Sequence, residues 1–291
     1  MYAQLLAVLA LTRFFTDTPI LQYALELELL ETNFYSGGLQ KFDQKAFSDA
    51  GFPSWVRGRY EQIREHEQTH VEFLQEVLGP AAPQPCEYDF PYTDVKSWVK
   101  LSMNIEGVGG AAYLGAISLL QDNTTTAVAA SILSVEQRQE GWISSAVLKH
   151  EPWDGAFETP LTMPEVWSIA SQFMKSCPSS NPPPPIGPLP VLTMDEWVKP
   201  GSKIQLKFDN PNPGTQLYVG WYNGLKSIFT TVDDSLYTVV PHGLHGTAYA
   251  GVVSNDATPR FDNPMVTTVA IVKFPFNSMA TEKGKDWKAN A

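Results

Sequence analysis

Ile63-Arg64-Glu65-His66-Glu67-Gln68-Thr69-His70-Val71-Glu72-Phe73-Leu74 is the stretch from which the fold is read. Residues at i, i+4, i+7 and i+11 share one face of a helix, so Ile63, Glu67, His70 and Leu74 stand in one row, with Val77 beyond them. That row is apolar except for a Glu-x-x-His pair. Three other segments repeat the pattern. Leu21, Leu25, Glu28, Thr32 and Tyr35 form one such row. Val99, Ser102, Glu106, Gly109, Tyr113 and Leu120 form a second, and Ala129, Ile132, Glu136, Gln139, Ile143 and Ala146 a third. A solvated acidic face would have polar neighbours, whereas each of these carboxylates interrupts apolar or small residues. Four carboxylates turned into one helical core are costly unless cations neutralise them, and a pair of metal ions is the usual answer. The bland alternative is a structural bundle whose metal site is decayed or absent.

The totals bound the classes. At 291 residues, 43% hydrophobic and 18% charged, the chain is a folded globular protein with material for one large or two ordinary domains. A net charge of −11 argues against nucleic-acid or anionic-membrane partners. No run reaches the roughly 20 apolar residues of a membrane span. Leu5–Leu11 has the length of a signal-peptide apolar region, although no Lys or Arg precedes it, so it is either a shortened signal or the first helix of the fold. Cys86 and Cys177 each neighbour a proline. They either pair, which suits a secreted or organellar-lumen protein, or remain two free thiols. Asn123-Thr124-Thr125 is a glycosylation sequon in an expected loop.

Composition changes at Cys177–Pro190, where four consecutive prolines make an extended connector. The expected organisation is a helical domain over 1–178, a Pro-rich linker over 179–190 and a β domain over 191–291. The helical part reads as four long segments, Thr18–Ser36 (stopped by Gly37-Gly38), Pro53–Leu78, Thr93–Leu120 and Thr125–Leu148, with a shorter fifth over Met163–Lys175. They make a four-helix bundle. After the linker, short alternating runs at Lys203–Phe208, Gln216–Trp221, Ser227–Val232, Leu236–Val240, Thr247–Val253 and Val266–Phe274 are separated by Asn-Pro, Asn-Gly and Asp-Asp turn signals. They read as an immunoglobulin-like β-sandwich, giving an α+β multi-domain chain.

Two strings strengthen the helical reading. Ile20-Leu21-Gln22-Tyr23-Ala24-Leu25 continues through Glu28 and Glu31 to Phe34-Tyr35, and Glu106-Gly107-Val108-Gly109 continues to Ala112-Tyr113-Leu114-Gly115-Ala116. With His66-Glu67-Gln68-Thr69-His70-Val71 and Ile132–Gln139, they resemble the ferritin-like superfamily, nearest to the fungal Rds1 stress-response type and plant desiccation-related proteins, over about residues 17–178. The superfamily's pattern is one Glu from each of two helices and Glu-x-x-His from each of the other two. The resemblance implies Glu28 and Glu106 as single ligands, Glu67 with His70 as the intact pair, and Glu136 as the surviving half of the second. Gln139 stands where the second histidine belongs. An amide oxygen is a poorer ligand for a transition metal, so the second ion is expected to bind more weakly, to carry an extra water or to be absent. Glu31 is the chief competitor for the first helix's ligand, because it lies on a second apolar row with Ile20, Ala24 and Leu27. His66 points about 100° from Glu67 and is set outside the ligand group.

The cofactors implied are two iron or manganese ions, with dioxygen or peroxide and a small organic molecule as partners. Tyr35 and Tyr113, each seven residues after a candidate ligand, are either core residues or catalytic hydrogen-bond donors to a ligand or the oxidant. Gly107, Gly109, Gly110 and Gly115 either open a pocket beside the metals or allow close helix packing. The leading expectation is a non-haem di-metal oxidase or oxygenase. Its rivals are a ferroxidase or manganese-catalase-like protective protein, and a non-catalytic secreted stress or wall-associated protein.

Overall fold

Asp17, Asp43, Asp94 and Asp122 each stand immediately before a helix. Three of them cap it. Asp43 accepts from Ala46 N at 2.8 Å, Asp122 from Thr124 N and Thr125 N, and Asp94 forms a reciprocal capping box with Ser97. Asp17 instead accepts from the backbone N–H groups of Gln121 and Asp122, tying the start of the first helix to a distant turn. The resulting helices, in this computed structural model describing residues 17–257, 260 and 264–278, are α1 (Thr18–Lys41), α2 (Gln44–Asp49), α3 (Trp55–Leu78), α4 (Val95–Ile117) and α5 (Asn123–Trp142). A π-helical turn, Ile143–Val147, prolongs α5. The apolar run Leu5–Leu11 lies outside the described residues.

Contacts divide the chain into two compact units, the first holding residues up to Leu148 together with Ala170–Pro184. Within it α1 packs chiefly on α3 and α4 on α5, with α1 also meeting α4. An aromatic cluster with Phe34, Phe47, Tyr60 and Trp98 fills one end. Leu21, Leu25, Leu29, Val71, Leu74 and Leu78 fill the other. The segment joining α3 to α4 carries β1 (Glu87–Tyr88), which pairs antiparallel with β2 (Met174–Ser176). Beside that pairing Cys86 and Cys177 form a disulfide, and Asn181 hydrogen-bonds the backbone of Gln84 in both directions. The two cysteines are therefore bonded rather than free.

Two expectations about the helices are corrected. Gly37-Gly38 does not stop α1, which continues to Lys41. Gly38 lies under the Trp98 indole, where a Cβ would sit 1.9 Å from Nε1, so the glycine serves close approach rather than termination. The expected fifth helix ends early. Its Met163–Ala170 portion is helical, designated α6, but Ser171–Phe173 tightens to a 3₁₀ turn and the chain then enters β2. The short helix α2 was not anticipated.

The second unit comprises Lys149–Ile169 and the residues from Pro185 onward. The alternating runs all appear as strands, namely β3 (Lys203–Gln205), β4 (Leu217–Asn223), β5 (Lys226–Val232), β6 (Tyr237–Val239), β7 (Gly246–Val253) and β8 (Ala270–Phe274). They form an antiparallel four-stranded sheet of order β5-β4-β7-β8 and a β3-β6 pair. Trp221, Val219, Ala248, Val252 and Val272 form its core. Residues 149–169, expected with the helices, group with this unit. Glu165 on α6 makes a buried ion pair with Arg260 at 3.1 Å, and Asp154 fills the space a Cβ would need at Gly246, whose φ of +62° also favours glycine. The chain is thus α+β, helical first and antiparallel β after. No helix among the described residues is long and apolar enough to cross a membrane.

Candidate metal centre

The carboxylates lie where α1, α3, α4 and α5 pass from one apolar cluster to the next. Along α1, Glu28 and Glu31 fall between Leu25 and Phe34; along α3, Glu67 and His70 fall between Ile63 and Leu74. Glu67, Glu106 and Glu136 are 0% exposed, Glu28 1% and Glu31 4%. Glu28, Glu67, His70 and Glu136 each offer one ligand atom, and these four atoms all lie within 4.8 Å of one another. His70 Nδ1 is 2.9 Å from Glu67 Oε2 and 3.3 Å from Glu28 Oε2. Glu106 and Gln139 stand at the edge of this group. Gln139 Nε2 donates to Glu67 Oε1 at 2.9 Å and meets His66 Nδ1 at 3.2 Å.

The electrostatics follow from burial. Burial first, and then neighbouring carboxylates, hold Glu31, Glu106 and Glu136 well above the ordinary carboxylate range. Burial pushes Glu67 up to about 7, partly offset by its hydrogen bond with His70. Burial alone would lower His70, but Glu28 and Glu67 outweigh it and carry the imidazole up to about 10. Without a metal, the cluster therefore holds protons in place of cations.

Four oxygens are left over. Both carboxylate oxygens of Glu136, Oε2 of Glu106 and Oε1 of Gln139 are buried with no hydrogen-bond partner. A buried orphan costs about 1–3 kcal/mol, and more when charged. Gly109 provides a cradle beside them, since a Cβ there would lie 2.6 Å from Glu31 Oε1 and 2.8 Å from Glu136 Oε2. Inward oxygen donors without partners and a histidine among them fit a bound cation.

The tyrosines pair crosswise. Tyr35 on α1 donates to Glu106 Oε1 on α4, and Tyr113 on α4 donates to Glu28 Oε1 on α1 at 2.5 Å. Each tyrosine follows its own helix's glutamate by seven residues, so both bonds can form only if α1 and α4 run in opposite directions. The equal spacing was visible in sequence, but the exchange of partners was not.

Gly107, Gly109 and Gly110 do not open a pocket. Added Cβ atoms would meet Glu140, the Glu31–Glu136 pair and Gln137, so these glycines admit side chains from neighbouring helices. The cleft lies elsewhere, between α3 and α5. It holds about 550 Å³ and exposes mostly apolar surface, with Phe73, Ala127, Val128, Ile132 and Val135 as apolar members and His66, Thr69, His70, Thr124 and Ser131 as polar ones. His66, set apart in the sequence reading, is thus a wall of this cleft, and His70 borders both the cleft and the carboxylates. Glu31 is the residue the sequence reading weighed as a competitor. The structure seats it one turn beyond Glu28 on α1, its Oε1 approaching the Cβ position of Gly109 as Glu136 Oε2 does.

Residues 16–149 match the ferritin-like domain family. The chain is also 25% identical over 167 residues to Protein rds1 of Schizosaccharomyces pombe, an alignment covering 57% of this chain and 41% of that protein. It therefore spans about two fifths of the relative's length. With the helices, the inward carboxylates and the Glu-x-x-His pair on the page, these matches support one assignment for residues 16–149, a ferritin-like domain of the Rds1-type family.

Proposed function

We propose that this chain is a non-haem di-metal carboxylate protein that oxidises a small organic substrate. The observation that carries the reading is Glu136, fully buried with both oxygens unpartnered inside a group with Glu28, Glu67 and His70. Two iron or manganese ions held there would supply activation of dioxygen or peroxide. The chain's own residues do the rest. Glu28, Glu67, Glu106 and Glu136 hold the ions with His70, in the bundle of four long helices. Tyr35 and Tyr113 fix the orientation of Glu106 and Glu28 through their hydroxyls. The apolar clusters at both ends of the helices keep water from the carboxylates.

The cleft beside His70 favours an organic substrate over plain iron oxidation or peroxide removal. Its volume lies within the range of small-molecule sites, and its apolar lining suits a compact, largely apolar molecule. The disulfide fits an extracellular life. The second unit, read as an immunoglobulin-like sandwich, would then serve attachment or positioning, its Trp221, Tyr222 and Tyr249 being buried core rather than a binding face.

The test is metal content and oxygen uptake. Metal-free protein given Fe(II) anaerobically and then exposed to air is expected to bind the ion and consume oxygen, and Glu67→Ala to lose both. Unchanged metal content in Glu67→Ala would sink the assignment. Rapid disproportionation of peroxide with no organic co-substrate would favour the protective reading.

A further inference from the structure

Gln139 reaches beyond the carboxylates. Its Nε2 lies 2.9 Å from Glu67 Oε1 and 3.2 Å from His66 Nδ1. A carboxylate oxygen only accepts, so the amide group turned toward Glu67 is the NH2, and its two hydrogens serve the two neighbours. His66 Nδ1 is therefore an acceptor. A neutral imidazole that accepts at one nitrogen carries its hydrogen on the other, which fixes an N–H at Nε2. His66 lines the cleft between α3 and α5, whereas Glu67, next to it in the chain, is wholly buried. One amide thus joins a buried carboxylate to an imidazole in the cleft wall.

The other polar groups beside His66 on α3 are turned elsewhere. Thr69 gives its hydroxyl hydrogen to Glu65 O at 2.7 Å, and His70 turns Nδ1 to Glu28 and Glu67. Further in, Phe73, Val128 and Ile132 border both the cleft and a small cavity shared with Leu74, Val77 and Tyr113, whose surface is almost entirely apolar. The cleft therefore has an oriented donor at His66 and an apolar interior beyond it. We infer that His66 determines the specificity of the cleft, donating its Nε2–H to the carbonyl oxygen of an otherwise apolar molecule whose body lies against Phe73, Val128 and Ile132, with Gln139 as the positioning residue. This inference rests on the reading of the cleft as the organic-substrate site. A hydrocarbon that displaced water there would leave the N–H unmet, whereas a carbonyl compound satisfies it. The ring enters already oriented, so little rotational freedom is lost on binding.

Titration of the metal-free full chain with acetophenone, and with isopropylbenzene as its hydrocarbon counterpart of similar shape, tests this. Binding is followed at the methyl signals of Val128 and Ile132, which both probes are expected to shift. His66→Phe is expected to weaken acetophenone about fivefold more than isopropylbenzene, the comparison cancelling any general change in the cleft. His66→Gln, which keeps an N–H donor, is expected to retain most of the acetophenone affinity, so a loss caused by misfolding is told apart. Nitrogen NMR of the His66 ring is expected to show its hydrogen on Nε2, and Gln139→Leu to reduce that preference. If His66→Phe weakens both probes alike, or if the hydrogen sits on Nδ1, the inference is overturned. If neither probe shifts the cleft signals, the organic-substrate reading falls with it. The metal assignment stands apart from these outcomes, being decided by metal content in Glu67→Ala.

Discussion

At the scale of single residues, the protein buries carboxyls whose oxygens lack hydrogen-bond partners, which is costly. Glu67 binds its proton up to about 7 when folded against an ordinary 4.5, and His70 up to about 10 against 6.5. A raised folded value means that the native chain holds more protons than the unfolded chain, so stability falls as pH rises through the interval. The metal-free protein is therefore expected to melt at progressively lower temperature from pH 5 to pH 8. Metal should reverse the trend, because ligands must shed protons to bind. Melting curves with and without chelator check this; a metal-free melting point that climbs with pH would contradict it. Glu136→Leu carries the same argument further. Replacing a buried, unpartnered carboxyl with an apolar group of similar volume is expected to stabilise the metal-free fold by about 1–4 kcal/mol while abolishing stabilisation by metal. Glu28, Glu67, His70 and Glu136 are legible in the sequence because each interrupts a single apolar row. Glu31 is not, since its row competes with that of Glu28, and only the neighbouring helices decide that both face inward.

Among the elements, helix type and extent follow from local pattern, and the departures have tertiary causes. Gly38 resembles a helix stop because glycine commonly ends helices. What sets its identity is Trp98, sixty positions away on α4, whose indole occupies the space of a Cβ. Gly38→Ala is expected to cost about 1–3 kcal/mol through overpacking, although alanine is the better helix former. Chemical denaturation of that variant measures it, and an unchanged or raised stability would show that the Trp98 contact yields easily. The same lesson holds on α4, where Gly107, Gly109 and Gly110 are compatible in sequence with either a cavity or close packing. The side chains of Glu140, Glu31, Glu136 and Gln137 fill that space, and the cleft forms between α3 and α5. Which face of a helix meets a neighbour and which meets a cavity is a property of the pair of helices, so periodicity within one helix does not encode it.

At the scale of the molecule, two features organise the chain. The first is the disulfide between Cys86 and Cys177, 91 residues apart, which fastens the α3–α4 connection to the strand that follows α6. A loop of that length gives about 4–5 kcal/mol by the chain-entropy estimate. Reduction is expected to lower helical-unit stability by that order, seen as a drop in the denaturant midpoint of Cys86→Ser/Cys177→Ser; equal midpoints would refute it. The second is the grouping of residues 149–169 with the β unit through Glu165–Arg260 and Asp154. Composition places the obvious break at the proline run, because proline marks a connector whatever surrounds it. The crossing of residues 149–169 rests on a buried ion pair whose partners lie 95 residues apart, and no local pattern announces it.

The central claim is that the buried carboxylates exist to hold two cations. Anomalous diffraction at the iron and manganese edges, from crystals grown with both metals, tests it most directly. The account expects two peaks among Glu28, Glu67, His70, Glu106 and Glu136, from iron, manganese or both. No anomalous density among these side chains at either edge would contradict it.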